Sequence, residues 1–330
     1  MKKDLLAWYD NNRRDLPWRA KAFQSANPYY VYLSEILLQQ TTVPAVIPYF
    51  KRFIQRWPTL KDLAAASLHD VLHEFQGLGY YSRAKNLHKA AKLLSENGHI
   101  PSRVELLLTY PGIGDYTAKA IASIAYDKPV IPIDGNVIRV MARFFGLKTP
   151  LPNLKKEILE KTHTIEAAYR PGDFAQALMD FGSQMCKPKN PKCPVCPLQK
   201  NCVAFKENLV FELPVRLKKE KTPRLYADAL IYENGSRILL EKNPNEGLLA
   251  NLWGVPTTVF LKEKPLNGND LFITHVFTHF HLTLYLKVAF FPESSVIDGS
   301  NQKFVYIDQI QNFPLSTLMK KVLEAYKKTL

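Results

Sequence analysis

All four cysteines of this chain fall within one seventeen-residue stretch, spaced Cys186-x6-Cys193-x2-Cys196-x5-Cys202. Thiols scattered by chance over 330 residues would rarely gather so tightly, and disulfides that tie distant segments cannot be made from them. Pro188, Pro191, Pro194 and Pro197 stiffen the loop, which suits it to wrapping four thiolates around one metal centre. Structural zinc usually draws on two close cysteine pairs, and only one C-x2-C is present, so zinc and free thiols stand here as the weaker alternatives.

The chain is long enough for about two domains of ~150 residues with cores of their own. From Leu5 to about Phe205 apolar residues recur at helical spacing, as in Ile36, Leu37, Leu38, Val46, Ile47 and Phe50, and prolines such as Pro28, Pro58 and Pro171 mark segment boundaries. The pattern predicts about ten helices and no strand. LPVRLKKEKTPR, between Pro214 and Pro223, lacks a full apolar face and reads as a linker. Beyond it YADALIY and RILLEK flank Asn234-Gly235, a hairpin signal, and strand-like runs continue through FITHVFTHFHLTLYLKVAFF and KFVYID to an amphipathic end, LSTLMKKVLEAYKKTL. The expected organisation is a helical region over 1–212, a linker over 213–224 and an α+β domain over 225–330.

Charge is divided unevenly. Of a formal +14, residues up to Pro223 carry 33 basic against 20 acidic side chains, and those after it 11 against 10. The helical region therefore suits a polyanion, and the tail does not. No window supplies the eighteen or so apolar residues of a membrane span, and Asp4 and Asp10 interrupt the start where a secretory peptide needs an apolar run. A cytoplasmic protein without a membrane partner is expected.

Upstream of the cysteines, LLLTYPGIGDYTAKAIASIAY reads as two helices joined by a glycine turn, whose Gly112 and Gly114 expose backbone N–H groups at a helix start and could hold a phosphate without reading sequence. Twenty residues past Gly114, Asp134 precedes the helix predicted over Gly135–Phe145 and would cap it. Glu35 lies in the apolar helix VYLSEILLQQ, where desolvation would favour its protonated form.

Taken together, PGIG, VIPIDGNVIRV and the four-cysteine loop resemble the helix-hairpin-helix DNA glycosylases, the endonuclease III superfamily. The resemblance narrows to the adenine DNA glycosylases, the MutY family, through RRDLPWR, YLSEILLQQTTV, GLGYYSRAKNLHKAA, PGIGDYTA, IDGNVIRV and FAQALMDFGSQMC, and spans nearly the whole chain. It implies a multidomain fold: an all-α helix-hairpin-helix catalytic region with a 4Fe-4S loop over 186–202, then an α+β Nudix-like domain. It also implies a 4Fe-4S cluster held by Cys186, Cys193, Cys196 and Cys202. Glu35 corresponds to the general acid, Asp134 to the carboxylate facing the sugar cation, Asn136 to a residue supporting it, and Tyr116 to one beside the sugar.

By the same resemblance Arg14, Leu16, Trp18, Arg19, Glu35 and Gln176 form an adenine pocket, while Gln40 and Tyr80 insert into the duplex once the base is flipped out. Breaking an N-glycosidic bond needs a proton for the leaving purine and negative charge under an oxocarbenium-like sugar, which two carboxylates in unlike environments can supply. Bifunctional members carry a lysine two residues after the hairpin glycine; here Tyr116 occupies that position, and a phenol forms no imine, so a monofunctional enzyme leaving an abasic site is expected.

The tail resembles the family's Nudix-like recognition domain through GLLANLWGVP and HVFTHFHL, without an acidic Nudix box. Phe277, Thr278 and His279 match the Phe-Ser-His motif that touches 8-oxoguanine; Thr keeps the hydroxyl and adds a methyl. His275, His279 and His281 share parity along an expected strand, with no carboxylate among them to complete a metal site. The expected partner is duplex DNA with 8-oxoguanine:A or G:A mispairs, bound by a monomer. An endonuclease III-like glycosylase/lyase is the second enzyme reading, opposed by Tyr116 and the tail. A non-catalytic iron–sulfur DNA-binding protein is the reading from another class, opposed by the presence of both Glu35 and Asp134.

Overall fold

The computed structural model describes residues 1–21, 24–163, 169–217, 222–264, 271–290, 299 and 301–329. The chain packs as two units, Met1–Ala65 with Lys89–Lys218 and Ala66–His88 with Lys219–Leu330. Ala66–His88 thus groups with the C-terminal part, whereas the sequence reading kept it in the helical region. Residues 218–221 of the expected linker lie outside the described residues.

Before the first strand come α1 (Lys2–Asn12), α2 (Pro28–Leu38), α3 (Val43–Arg56), α4 (Leu60–Ala65), α5 (Leu68–Glu74), α6 (Ser82–Glu96), α7 (Val104–Leu107), α8 (Asp115–Tyr126), α9 (Gly135–Phe145), α10 (Asn153–His163), α11 (Pro171–Gln184) and α12 (Val203–Lys206). Asn27 caps α2 by accepting from the N–H groups of Tyr29 and Tyr30 at 2.9 and 3.4 Å, and Pro28 supplies a preset φ in the first turn. Because α2 is apolar on almost every side, Tyr29 and all residues from Val31 to Leu37 are buried. Packed on α3 and α8, the helix carries Glu35 into the interior with it.

A second core gathers Leu5 and Tyr9 of α1, Val140 and Met141 of α9, Ile158 of α10, and Phe174, Leu178 and Phe181 of α11; Cys186 and Cys196 pack against its edge. α9 spans the predicted residues. Asp134 caps its start, and Gly146 ends it in the left-handed region at φ 69°, where a Cβ would also collide with Val203. The expected helical hairpin is lopsided. Its first arm, α7, is only four residues long; the second, α8, starts after Gly114, with Gly112 at φ 77° in the turn.

The other unit contains a mixed sheet of β1 (Arg224–Asn234), β2 (Arg237–Lys242), β3 (Trp253–Gly254), β4 (Phe272–Val276), β5 (His281–Phe290) and β6 (Gln302–Tyr306), ordered β3-β2-β1-β5-β4 with β6 also on β2. β1 and β5 run parallel from Arg224 opposite His281 to Glu233 opposite Phe290, and the other pairings are antiparallel. The hairpin expected at Asn234-Gly235 joins β1 to β2, with Gly235 at φ 58°. Alternate residues Ala227, Ala229 and Ile231 meet Leu282 and Leu284 under α13 (Thr317–Lys327), which Ser316 caps. His275 and His281 lie on different strands, with His279 in the turn between them, so the shared strand expected for these three does not exist.

Ala66–His88 joins this unit through side chains that reach backbone carbonyls before α13. The His73 Nε2–H donates to Gln311 O at 3.0 Å, Gln76 Nε2 to Phe313 O at 2.8 Å and Tyr81 Oη to Leu315 O at 3.2 Å. Among the described residues, no helix is long and apolar enough to cross a membrane.

One close approach positions the site. A Cβ added to Gly182 of α11 would lie 2.6 Å from Asn136 Cβ of α9, so only glycine admits this packing. Gly182→Ala is expected to destabilise the protein by ~1–3 kcal/mol. A lowered melting temperature checks this, and an unchanged one would show that α9 yields freely.

Candidate active site and cysteine loop

Ten of the residues singled out by sequence meet in one cavity of about 360 Å³: Glu35, Tyr116, Asp134 and Asn136; Arg14, Leu16, Trp18, Arg19 and Gln176; and Gln40. They arrive from the loop after α1, from α2 and its C-terminal turn, from α8, from the start of α9 and from α11. Trp18 is held edge-on against Phe50, with ring centroids 5.3 Å apart, so the aromatic wall is fixed by packing.

The two carboxylates stand in unlike surroundings. Glu35 is 6% exposed, and its Oε2 has no hydrogen-bond partner. Burial pushes its pKa up to about 7; the Asp134 charge adds to the rise, while the Tyr116 hydroxyl and the Arg19 guanidinium offset part of it. Asp134 is half-buried, and both its oxygens accept: Oδ1 from Val137 N at 2.7 Å and Oδ2 from Asn136 Nδ2 at 2.8 Å. The first bond caps α9, so the capping role and the acidic role reside in one side chain. Asn136 is held in turn by Arg139, whose Nη2 donates to Asn136 Oδ1 at 2.9 Å and to Gly182 O at 2.6 Å, and whose Nε donates to Cys186 O at 2.8 Å.

Tyr116 reaches the same space from α8 and donates to Met179 Sδ at 3.8 Å. Burial, then the charges of Glu35 and Asp134, raise its pKa well above the ordinary phenol value, which keeps it neutral. Lys119, one turn on, forms an ion pair with Asp115 at 2.8 Å and does not line the cavity. Gln176 lies at the wall with its amide nitrogen 3.3 Å from Gly172 O of its own helix.

Three residues escaped the sequence reading. Asp180 of α11 binds both Arg14 and Arg19 at 2.5 and 2.6 Å. Arg139 supports Asn136, and Gln39 ties the Gln40 turn to the hairpin through Gly112 O at 3.4 Å and Thr117 Oγ1 at 3.3 Å. A charged residue on the apolar stripe of a helix, as in FAQALMDFG, is the signal that could have found Asp180. Gly112 and Gly114 lie outside the cavity, and Gly114 has open space around it.

Tyr80, Phe277, Thr278 and His279 line a different cavity of about 660 Å³ in the sheet-bearing unit. The Tyr80 and Thr278 hydroxyls are hydrogen-bonded at 2.8 Å. The Phe277 ring lies 4.7 Å from both Phe280 and His275. Gln40 and Tyr80 both have left-handed backbones, at φ 55° and 49°, a strained state for residues with side chains and one that recurs at functional turns.

The four cysteines form no disulfide and border one small pocket beside α9 and α11. Arg143 organises its rim, donating from Nη1 to Lys187 O at 2.7 Å and from Nε to Leu213 O at 3.1 Å, with Cys186 Sγ 3.5 Å from Nη1. Burial raises the thiol pKa of Cys193, Cys196 and Cys202, that of Cys196 to about 11, so these sulfurs become thiolates only against a strong cation. Among the described residues, no three His, Cys, Asp or Glu side chains converge on a single-ion site. The four sulfurs and Arg143 border this one pocket, a donor set of thiols whose chemistry suits a metal centre.

Known proteins share both halves. Residues 33–164 match the family described as HhH-GPD superfamily base excision DNA repair protein, and residues 228–325 match the NUDIX domain. An adenine DNA glycosylase of Rattus norvegicus is 33% identical over 99% of this chain and 78% of its own length, and one of Buchnera aphidicola subsp. Acyrthosiphon pisum is 33% identical over 99% and 97%. Among solved structures, a thermostable thymine-DNA glycosylase aligns with a TM-score of 0.55 at 27% identity, over 62% of this chain and 95% of that one. Endonuclease III in a trapped covalent complex with DNA aligns with a TM-score of 0.52 at 25% identity, over 63% and 95%. A helix-hairpin-helix region followed by a Nudix-like domain, matched from end to end by these relatives, places the chain in the adenine DNA glycosylase family, MutY.

Proposed function

We propose that the protein is a monofunctional adenine DNA glycosylase that removes adenine opposite 8-oxoguanine or G and leaves an abasic site. The observation that carries this reading is the pairing of Glu35 and Asp134 in one cavity, the first desolvated with a free oxygen and the second fully engaged as an acceptor. A flipped adenine enters between Trp18, Leu16 and the polar groups of Gln176 and Glu35. Glu35 delivers its proton to the purine, which leaves as a neutral base. Asp134 faces the sugar as its positive charge develops, and Asn136 and the α9 N-terminus keep its carboxylate in place while water adds.

A lyase needs an amine at the sugar. Tyr116 fills that position as a neutral phenol, and Lys119 is engaged with Asp115, which supports base release without strand cleavage. Gln40 and Tyr80 fill the vacated stack, and the hairpin glycines Gly112 and Gly114 hold a backbone phosphate. The cavity around Phe277, Thr278 and His279 receives the opposing 8-oxoguanine, with the Thr278 hydroxyl as its polar contact. All catalytic residues come from one chain, so a monomer suffices, and a cytoplasmic, nucleoid-associated location follows from the substrate.

Cys186, Cys193, Cys196 and Cys202 would hold a 4Fe-4S cluster, which supplies four metal–sulfur bonds that tie the loop together. Arg139 and Arg143 fix the loop backbone on the protein side. A brown protein with about four irons per chain and absorption near the blue end of the visible is expected; a colourless protein with one zinc would contradict the cluster.

Single-turnover incubation with an 8-oxoguanine:A duplex tests the activity. Strand scission at the adenine only after alkali supports the reading, and efficient borohydride trapping with cleavage keeping pace with base release would overturn it. Glu35→Gln and Asp134→Asn should each slow adenine release by about 10²–10⁴-fold with duplex binding retained, and retained turnover in either variant would contradict its role. Thr278→Ala should cut the preference for 8-oxoguanine:A over G:A by up to about tenfold, one hydrogen bond's contribution, whereas an unchanged preference would remove Thr278 from recognition.

A further inference from the structure

Behind the cavity wall, one carboxylate receives five N–H donors. Asp180 has a fully buried side chain. Its Oδ1 accepts from Arg14 Nη2 at 2.5 Å, Arg14 Nε at 2.6 Å and Arg19 Nη2 at 2.9 Å; its Oδ2 accepts from Arg19 Nη1 at 2.6 Å and from the Arg14 backbone N–H at 3.1 Å. The Arg19 side chain is only 7% exposed and Arg14 27%, so both cations are partly desolvated beside the cavity. One anion shared by two guanidiniums in so dry a place leaves a local excess of a single positive charge, close to a buried acid.

We infer that Asp180 is the positioning residue of this cavity: it clamps Arg14 and Arg19 into the wall and cancels one of their two charges beside Glu35. The inference rests on the reading of Glu35 as the proton donor and adds what sets its protonation. Glu35 faces Tyr116 from α8, Asp134 from the α9 cap and Arg14 and Arg19 from the loop after α1, with Asp180 of α11 behind the arginines. Tyr9, nearer Asp180, has a phenol that burial keeps neutral, and Asp173 is engaged by Arg170. Within this set the Tyr116 hydroxyl and the arginines favour loss of the Glu35 proton, and only the arginines do so by carrying charge. Burial opposes the ionisation of Asp180, but hydrogen bonds and charge from Arg19, then the charge of Arg14, outweigh it and hold its carboxyl below the usual range. Asp180 is therefore the standing counter-charge.

The sign follows. Removing the Asp180 charge exposes Glu35 to both guanidiniums and must lower the pH at which it ionises. Removing the Arg19 charge leaves Asp180 partly unopposed and must raise it. A mere structural role for Asp180 produces no such opposite pair of shifts.

The test follows the infrared band of the buried carboxylic acid in the full-length, iron-loaded protein over pH 5–9, assigned by its loss in Glu35→Gln. In Asp180→Asn the midpoint should fall by about one pH unit, and in Arg19→Met it should rise by a similar amount, as expected for one charge at close range in a partly dry site. Asp180→Glu, which keeps the anion, should titrate near the wild type. If Asp180→Asn does not fold, the double variant Asp180→Asn/Arg19→Met, which leaves one guanidinium beside a neutral amide, should titrate below Arg19→Met alone, and equal midpoints overturn the inference. Unmoved midpoints overturn the inference. Because the band reports ionisation whether or not adenine is released, an inactive wild type would defeat the proposed activity without being confused with this result.

Discussion

A carboxylic acid on a helix that is buried on nearly all sides is the constraint around which the rest of the site is arranged. α2 is apolar along almost its whole length, so packing against α3 and α8 removes Glu35 from water as a by-product of building the core. Desolvation then does what no single neighbour could, raising the Glu35 pKa to about 7 despite the opposing influence of Tyr116 and Arg19. The second carboxylate of the cavity is held by local hydrogen bonds. Asp134 sits at the start of α9, where a backbone N–H and the Asn136 amide occupy both oxygens and the helix favours negative charge. One fold thus brings two carboxyl groups into the same cavity in unlike surroundings, by burying one and capping a helix with the other.

Supports lie one layer back and are made of arginine. Arg139 holds Asn136 while it also reaches the carbonyls of Gly182 in α11 and Cys186 after it. Arg14 and Arg19 line the cavity and are anchored by Asp180. The bare Cα of Gly182 allows α11 to approach α9 at Asn136, beside the bonds that Arg139 makes. Much of the excess positive charge near this site is therefore engaged in holding carbonyls and carboxylates, and is not all available to DNA phosphates.

What could be read from the sequence was what depends on neighbours in the chain. The helix Gly135–Phe145 with Asp134 before it, the turn at Gly235, and the burial of Glu35 all follow from local apolar pattern, capping chemistry and glycine's freedom at positive φ. The cysteine spacing was legible for the same reason. What stayed hidden depends on partners far along the chain. Asp180 meets Arg14 across 166 residues, and His73 meets Gln311 across 238. The second of these contacts helps place Ala66–His88 with the C-terminal unit, against the division that composition suggested. The shortness of α7 was missed because apolar content alone does not fix where a helix stops.

The central claim is that a buried, protonated Glu35 drives base release while Asp134 stabilises the sugar. The most direct measurement is the single-turnover rate of adenine release from an 8-oxoguanine:A duplex as a function of pH. A donor that must be protonated loses activity as pH rises through its pKa, so the rate should be level in mildly acid solution and fall about tenfold per pH unit above about pH 7. A rate that stays constant or climbs from pH 7 to 9 would contradict the account.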